Sequence, residues 1–240
     1  MKVRLSFIFA AGVVFLAIAV GSFADELKRE IVLGYNKATG NTRSSALTFN
    51  ALSDKKTVDD QLTLKAGSFY SSTNNKMDAK KYNASARYAL TIALSQWYSF
   101  YKVEAEQDRF ADIDLRAVPS AGVGYWFFDE EDFKLLAEVA AGWEHTQYKS
   151  GKKDTNEAVL IPRGHLEKTL FNQTKLMQDI VLYPVLDTGE YRLHSETALT
   201  NLLSQNLALR LSLIDDFNSS PQAGVKKNDM LFMSSLVYMF

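Results

Sequence analysis

The feature that most constrains this chain is the alternation of residues over its last stretch, which ends on an aromatic side chain. One set of alternate positions holds Met230, Phe232, Ser234, Leu236, Tyr238 and Phe240. The positions between them hold Leu231, Met233, Ser235, Val237 and Met239. The last residues of soluble domains are usually loose and polar, whereas this stretch is rich in β-forming residues up to the carboxylate. We therefore expect the terminus to be held inside a β-sheet.

The spacing of the last aromatic residues is also specific. Phe240 is preceded at two-residue intervals by Tyr238 and Leu236. This pattern resembles the closing strand of bacterial outer-membrane β-barrels, in which the terminal aromatic residue is the signal read by the assembly machinery. The resemblance implies that Phe240 and Tyr238 form an assembly signal and that the barrel-assembly machinery is a partner of this chain.

The other end of the chain has the layout of a cleavable secretory signal. Residues 1–24 contain Lys2 and Arg4, then an apolar run over residues 7–20, and acidic residues follow directly. This order is typical of signal peptides, and the run is shorter than the roughly 20 residues that a membrane-spanning helix needs. We predict that residues 1–24 are removed and that residues 25–240 form one exported domain.

Composition excludes several classes of function. Without Lys2 and Arg4 the predicted mature chain keeps 25 of its 27 basic residues, against 28 acidic ones. This balance argues against a nucleic-acid partner, which requires a basic surface. The chain has no cysteine, which excludes thiol chemistry, cysteine-bound metal and a lipid-modified cysteine anchor. No linker or low-complexity segment divides the predicted mature chain, so we expect one domain.

Period-two alternation recurs along the whole mature chain and predicts β-strands. Twelve such segments lie near residues 28–36, 42–53, 59–71, 79–90, 95–108, 112–128, 133–148, 155–170, 173–186, 190–203, 205–217 and 228–240. We predict an all-β fold, an antiparallel transmembrane β-barrel of about twelve strands. The count falls to ten if the region from 155 to 186 is partly loop.

The lengths of the breaks between segments favour an outer-membrane barrel. Short turns are predicted at residues 129–132, 170–173 and 203–206, and long polar loops at residues 71–78, 149–154 and 215–227. Short turns on one side and long loops on the other are typical of this class. Aromatic residues gather near the short-turn ends, as they do at bilayer interfaces; they are Trp97, Tyr125, Phe127, Phe133, Phe171, Tyr238 and Phe240.

Three of the four prolines lie inside predicted strands, which counts against a regular barrel. They are Pro119, Pro162 and Pro184. A proline has no N–H to donate to a neighbouring strand, and a closed barrel has no free edge at which that loss is harmless. We expect bulges or locally broken pairing at these positions.

Two stretches resemble a known family. Residues 33–42, which read LGYNKATGNT, are similar to the first hairpin of the salt-induced outer-membrane protein family, a group defined by a domain of unknown function. Residues 106–116, EQDRFADIDLR, followed by residues 122–127, GVGYWF, are similar to its central hairpin. The resemblance implies a β-barrel in the cell outer membrane, often linked to osmotic or salt stress. It implies no agreed activity and no catalytic residues.

Charged residues on one face of the predicted strands are candidates for the barrel lumen. The candidate lumen charges are Lys102, Glu104, Arg116, Glu138, Arg163, His165, Glu167, Arg192, His194 and Glu196. The same alternation places Glu30, Lys65, Arg87, Lys134, Glu144, Asp179 and Arg210 on this face. The signs are mixed, so we expect pairing across the lumen and little net field to select ions.

The three histidines carry no metal-binding spacing, and we predict no metal, no cofactor and no catalytic residue. His165 and His194 each have an arginine and a glutamate on the same strand face. This arrangement fits either a proton-linked or ligand site or a lumen lattice of salt bridges, and the lattice is favoured because barrel interiors are polar throughout. A lipid-facing Ser and His pair, as in an outer-membrane phospholipase, is disfavoured because His194 and Ser195 point to opposite faces.

Lysines that gather in or beside the predicted long loops are candidates for contact with lipopolysaccharide phosphates, in addition to outer-membrane lipid. They are Lys76, Lys80, Lys81, Lys149, Lys152, Lys153, Lys226 and Lys227. We predict a non-catalytic outer-membrane barrel with a structural or salt- or osmotic-stress-adaptive role. Two alternatives are a narrow passive channel for ions or small solutes and a soluble periplasmic β-sandwich that binds an apolar ligand. The oligomeric state is left open.

Overall fold

The computed structural model describes residues 26–38, 43–93, 95–171, 173–221 and 226–240, and twelve strands lie in these residues. The strands are β1 Glu26–Ala38, β2 Ser44–Lys56, β3 Asp60–Thr73, β4 Lys76–Thr91, β5 Trp97–Asp108, β6 Ile113–Asp129, β7 Phe133–Tyr148, β8 Thr155–Phe171, β9 Thr174–Pro184, β10 Tyr191–Leu202, β11 Leu207–Asn218 and β12 Asn228–Met239. The predicted signal segment, residues 1–24, lies outside the described residues.

The strands form one closed antiparallel barrel in which each strand pairs with its neighbours in sequence. Strand β12 closes the barrel on β1, with a register that runs from Glu30 opposite Met239 to Gly34 opposite Ser235. The prediction of twelve strands is confirmed. The lower count of ten is wrong because residues 155–186 form β8 and β9, and the β-sandwich is wrong because a single sheet closes on itself.

The outer face of the barrel is apolar, as a wall against lipid requires. Leu33 of β1, Phe232 of β12 and Leu236 of β12 are between 50 and 61% exposed, although all three are large and apolar. In the residues that the structure describes, no helix has the length and apolar character needed to cross a bilayer.

Aromatic rings form a belt at each end of the outer face. At the short-turn end the rings of Trp97 and Tyr125 lie 4.9 Å apart and those of Tyr238 and Phe240 lie 5.8 Å apart. At the other end Tyr191 stacks on Phe217 at 5.5 Å. About ten residues of tilted strand separate the belts, a height of about 25 Å, which matches the apolar band of an outer-membrane barrel.

One predicted loop is wrong. Residues 71–78 are mostly strand, because β3 and β4 are joined by a two-residue turn of Asn74 and Asn75 with φ angles of 51° and 63°. Asparagine tolerates positive φ, and tight hairpin turns require it. The loop at residues 149–154 is confirmed, and residues 219–227 separate β11 from β12. We call the barrel end that carries these two connections the long-loop end.

The expectation of broken pairing at prolines is confirmed at two sites. The pairing of β6 with β7 is interrupted between Ala117 and Ser120, where Pro119 lies. The pairing of β8 with β9 stops at Arg163, next to Pro162, and only an isolated bridge between Val159 and Val185 follows. In each case the proline still pairs with the strand on its other side.

The barrel interior combines charge with two apolar clusters. The larger cluster lies on the inner faces of β4 to β9 and contains Ala89, Tyr98, Phe100, Val118, Ala140, Val159, Ile161, Val181, Tyr183 and Val185. The smaller one lies where β12 closes on β1 and contains Val32, Ala208 and Val237. These clusters fill part of the lumen and confine the charged side chains to the space that remains.

Candidate functional site: the barrel lumen

All ten candidate lumen charges lie on the inner face of the wall, and most of them belong to two networks of ion pairs. The short-turn cluster consists of Arg87, Glu138, Arg163, His165, Glu167 and Asp179. The long-loop cluster consists of Lys81, Glu106, Arg116, Glu144, Arg192, His194 and Asp216. Lys102 and Glu104 lie between the two clusters, and Lys65 and Glu196 make no hydrogen bond or ion pair with the part of the chain that the structure describes.

Glu138 is the centre of the short-turn cluster and is only 7% exposed. Its carboxylate accepts hydrogen bonds from Arg87 Nη2 at 2.6 Å, from the Tyr98 hydroxyl at 2.7 Å and from Arg163 Nη1 at 2.9 Å. Arg87 stands on β4 and Glu138 on β7, so this ion pair crosses the lumen. Charge-assisted hydrogen bonds of this kind are roughly twice as strong as neutral ones, and they hold the two walls together.

The short-turn cluster continues along β8 and β9. Arg163 Nη2 lies 2.5 Å from an Asp179 carboxylate oxygen, and the Nδ1 atom of His165 lies 2.7 Å from the same oxygen. The other ring nitrogen of His165 lies 3.1 Å from Glu167. Each acidic group in the cluster therefore has a basic partner, which is the condition for keeping charge out of bulk water.

Glu144 is the centre of the long-loop cluster and is 4% exposed. It pairs with Arg116 Nε at 2.9 Å and with Arg192, which reaches it from β10 across the lumen. Arg116 also pairs with Glu106 at 3.2 Å. Two arginines therefore converge on one buried carboxylate that stands on β7.

A second link crosses the lumen in the long-loop cluster. Lys81 of β4 lies 3.5 Å from Glu106 and 3.8 Å from Asp216, which stands on β11. Asp216 is also 2.6 Å from the Nδ1 atom of His194. The grouping of Lys81 with the lysines in or beside the outer loops is wrong, because Lys81 stands inside β4 on the same face as Arg87 and pairs within the lumen.

A tyrosine contacts the charged residues that lie between the two clusters. The Tyr183 hydroxyl of β9 donates to Glu104 of β5 at 3.2 Å, and Lys102 lies 2.7 Å from the same carboxylate group. The guanidinium of Arg192 lies 4.6 Å from the centre of the Tyr183 ring, a cation–π distance. The Tyr183 side chain is therefore fixed by its hydrogen bond to Glu104 and by the contact of its ring with Arg192.

Tyr98 and Tyr183 are lumen residues that the sequence analysis did not select. Both lie at the inward parity of their strands, two positions from Phe100 and Val181. Parity alone was enough to place them inside, but the choice of candidates by charge passed over hydroxyl groups. Asp216 was missed for another reason: it fell in the predicted long loop over residues 215–227, whereas β11 continues to Asn218 and Asp216 shares its inward face with Ile214.

Near Lys65 the lumen is less tightly packed. This side chain is exposed to the lumen although the barrel wall encloses it, and the charges of Arg163, Asp179, Lys102 and Glu196 lie near it. Over the described ranges, no group of three or more His, Asp or Glu side chains is placed to hold a metal ion. Most of the charged lumen side chains pair with one another.

A closed antiparallel barrel with an apolar outer face, two aromatic belts and a charged interior defines a transmembrane β-barrel. This chain belongs to the family described as "Protein of unknown function, DUF481", whose model matches residues 31–240. The match confirms the family resemblance of the two hairpins.

Two known proteins illustrate the likeness. "Uncharacterized protein YdiY" of Escherichia coli (strain K12) is 24% identical over 188 residues, which cover 78% of this chain and 73% of the relative. Among solved structures, the NanC porin superposes with a TM-score of 0.54 at 11% identity, covering 88% of this chain and 99% of that one. At this identity the likeness to the porin shows the barrel fold alone.

Proposed function

We propose that this chain is a non-catalytic barrel of the bacterial outer membrane with a structural, salt- or osmotic-stress-adaptive role, exported by its N-terminal signal. The observation that carries the proposal is the set of ion pairs across the lumen: Arg87 with Glu138, Arg192 with Glu144 and Lys81 with Asp216. They join strands that are not neighbours in the wall. A barrel tied in this way adds a closed, rigid element to the membrane.

The burial of the ion pairs connects this closure with salt stress. Exposed ion pairs weaken as salt rises, because the screening length falls to about 3 Å at 1 M ionic strength. Glu138 and Glu144 are buried at the centres of their clusters, and buried pairs are screened much less. The lumen thus stays shut at salt concentrations that would open a lattice of exposed pairs.

The proposed partners follow from the outer surface. The apolar band would face outer-membrane lipid, and lysines at the long-loop end, such as Lys149, Lys152 and Lys153, would meet lipopolysaccharide phosphates. Phe240 and Tyr238 stack on the outer face at the short-turn end, where the barrel-assembly machinery would read them. No cofactor, metal or nucleic acid enters this proposal.

Fractionation of cells that produce the chain tests the location, and electrophoresis with and without boiling tests the fold. We expect the protein in the outer membrane and a shift in mobility on heating. Recovery from the soluble periplasmic fraction would contradict the proposal. For the role, cells that lack the chain should survive a shift to high salt less well, and the unmutated chain should restore survival while Glu144→Gln restores it only in part.

A second candidate is a narrow passive channel for ions or small solutes. The observation that favours it is Lys65, an exposed cation on the inner face beside the short-turn cluster that forms no hydrogen bond or ion pair with the described residues. Water that reaches this side chain inside the barrel would be the start of a conducting path. Steady currents through the unmutated protein in planar bilayers would favour the channel over the closed barrel.

A further inference from the structure

The wall between β8 and β9 has a gap in its hydrogen bonding that involves two prolines. The pairing runs to Arg163 opposite Val181 and resumes only at the bridge between Val159 and Val185. The same register places Pro162 opposite Leu182 and Pro184 opposite Leu160. We call residues 160–162 and 182–184 the seam.

Both prolines fall where a donor is needed. Leu186 N donates to Ala158 O at 2.9 Å, so even-numbered residues of β8 and β9 point their backbone groups at each other in this register. Pro162 and Pro184 are both even-numbered and have no N–H. Two successive cross-strand hydrogen bonds are therefore missing from one stretch of the wall, whereas Pro119 removes only one from the wall between β6 and β7.

The outer face of the seam is apolar and thin. Leu160, Pro162, Leu182 and Pro184 all point outward. Two residues beyond Pro162, the next outward position of β8 is Gly164, which has no side chain, and no atom lies within 4 Å of the place where its Cβ would stand. Pro184 pairs with Tyr191 of the aromatic belt at the long-loop end, so the seam lies in the half of the apolar band next to that end.

The inner face of the seam is apolar as well, which is unusual for a barrel lumen. Ile161 and Tyr183 are buried in the larger apolar cluster together with Phe100 and Val118. Charge adjoins this patch on both sides: Arg163 follows Pro162 on β8, and Tyr183 contacts Glu104 through its hydroxyl and Arg192 through its ring. An apolar molecule that passed between β8 and β9 would meet the apolar outer face of the seam and, inside the barrel, Ile161 and the apolar cluster around it.

We propose that the seam admits one acyl chain of a lipid of the outer leaflet, which passes between β8 and β9 and lies against Ile161 and Tyr183 inside the barrel. The inference rests on the proposed outer-membrane location, which puts the long-loop end at the outer leaflet. The head group stays at the level of Tyr191, and the chain replaces contacts that Ile161 and Tyr183 make within the apolar cluster.

The test uses the full barrel in vesicles that contain a phospholipid with a photoreactive diazirine near the end of one acyl chain. After illumination, mass spectrometry locates the labelled residues. We expect labels on the inward residues Ile161 and Tyr183 as well as on the outward residues Leu160 and Leu182. The double variant Pro162→Val, Pro184→Val restores two N–H donors and should lower inward labelling about tenfold while outward labelling stays.

The matched control is Pro119→Val, which changes a wall proline away from the seam and should leave inward labelling at Ile161 and Tyr183 unchanged. Heat-dependent mobility checks that each variant is assembled, and Pro162→Val alone serves if the double variant is not. Labels on the outward residues only, or inward labelling that the valine variants do not reduce, would overturn the proposal that an acyl chain enters at the seam. Labels on neither face would overturn the membrane location as well.

Discussion

Arg87 on β4 and Glu138 on β7 form an ion pair of 2.6 Å although two strands lie between them in the wall. The ion pair therefore spans the lumen and links two strands that are not neighbours. Because the same carboxylate also accepts hydrogen bonds from Tyr98 and Arg163, one buried acidic group connects three inward side chains besides its own. Loss of its charge therefore affects more of the barrel than loss of any single neighbour-to-neighbour pair.

We expect Glu138→Gln to lower the free energy of unfolding by about 3 kcal/mol, because it leaves Arg87 and Arg163 without their shared counter-charge in the interior. Urea unfolding in lipid vesicles, followed by tryptophan fluorescence, measures the change. The control is Glu196→Gln, on the same inner face, where the charge has no hydrogen bond or ion pair with the described residues. Equal losses in the two variants would show that the cluster is not a cooperative unit.

The sequence was sufficient to predict the strands and the faces of their residues, but not which charged residues pair across the lumen. Strict alternation places Arg163 and Glu138 on the inner face without any structure, since a one-residue error would turn every apolar neighbour inward. That Arg87 meets Glu138 depends on the diameter and stagger of the closed barrel. Neither quantity is written in a local pattern of residues.

The wrong loop at residues 71–78 has a local physical cause. The sequence predicts a long polar loop around Asn74 and Asn75, because a run of polar residues marks a loop and a polar strand end equally well. This error put the start of β4 near residue 79 and not at Lys76. The prolines were recognised as irregular, but which neighbouring strand loses its partner depends on where the missing N–H would point, and that requires the register.

The two faces of β11 give a prediction from adjacent residues. Leu209 faces lipid, whereas Arg210 faces the lumen, where it donates to Glu30 at 2.9 Å and to Thr200 at 3.0 Å. Leu209→Arg should cost about 2 to 4 kcal/mol near the bilayer midplane. Arg210→Leu should cost less, since Glu30 keeps access to water in the lumen. Folding into vesicles of defined composition measures the cost of both variants. If Arg210→Leu cost more than Leu209→Arg, the assignment of inner and outer faces would be wrong by one residue.

The terminal aromatic gives a prediction about assembly. Deletion of Phe240, or Phe240→Asp, should lower the amount of heat-shifted barrel in the outer membrane while the processed chain still appears in the periplasm, because the assembly signal is lost and export is not. Phe171→Ser is the matched control, since Phe171 is another exposed aromatic at the short-turn end but lies away from the terminus. Normal barrel levels in the Phe240 variants would contradict the assignment of the signal.

The last prediction concerns current through the lumen. An eight-stranded barrel is filled by its own side chains and a sixteen-stranded one holds a water channel, so at twelve strands the lumen side chains decide whether ions pass. Because ion pairs cross the lumen in both clusters, the unmutated protein should show small or absent conductance and weak ion selectivity in planar bilayers.

Neutralising a partner should loosen this closure. Arg116→Gln removes one of the two basic partners of Glu106 and one of the two arginines that pair with Glu144. Glu104→Gln removes the carboxylate to which the Tyr183 hydroxyl donates. Both variants should raise the current, and Arg116→Gln should also favour cations, because it leaves acidic groups in excess at the long-loop end. Lys153→Gln, in the loop outside the lumen, should change neither quantity. Large, steady and strongly selective currents from the unmutated protein would instead establish the channel, because paired charges that block the lumen cannot coexist with such a path.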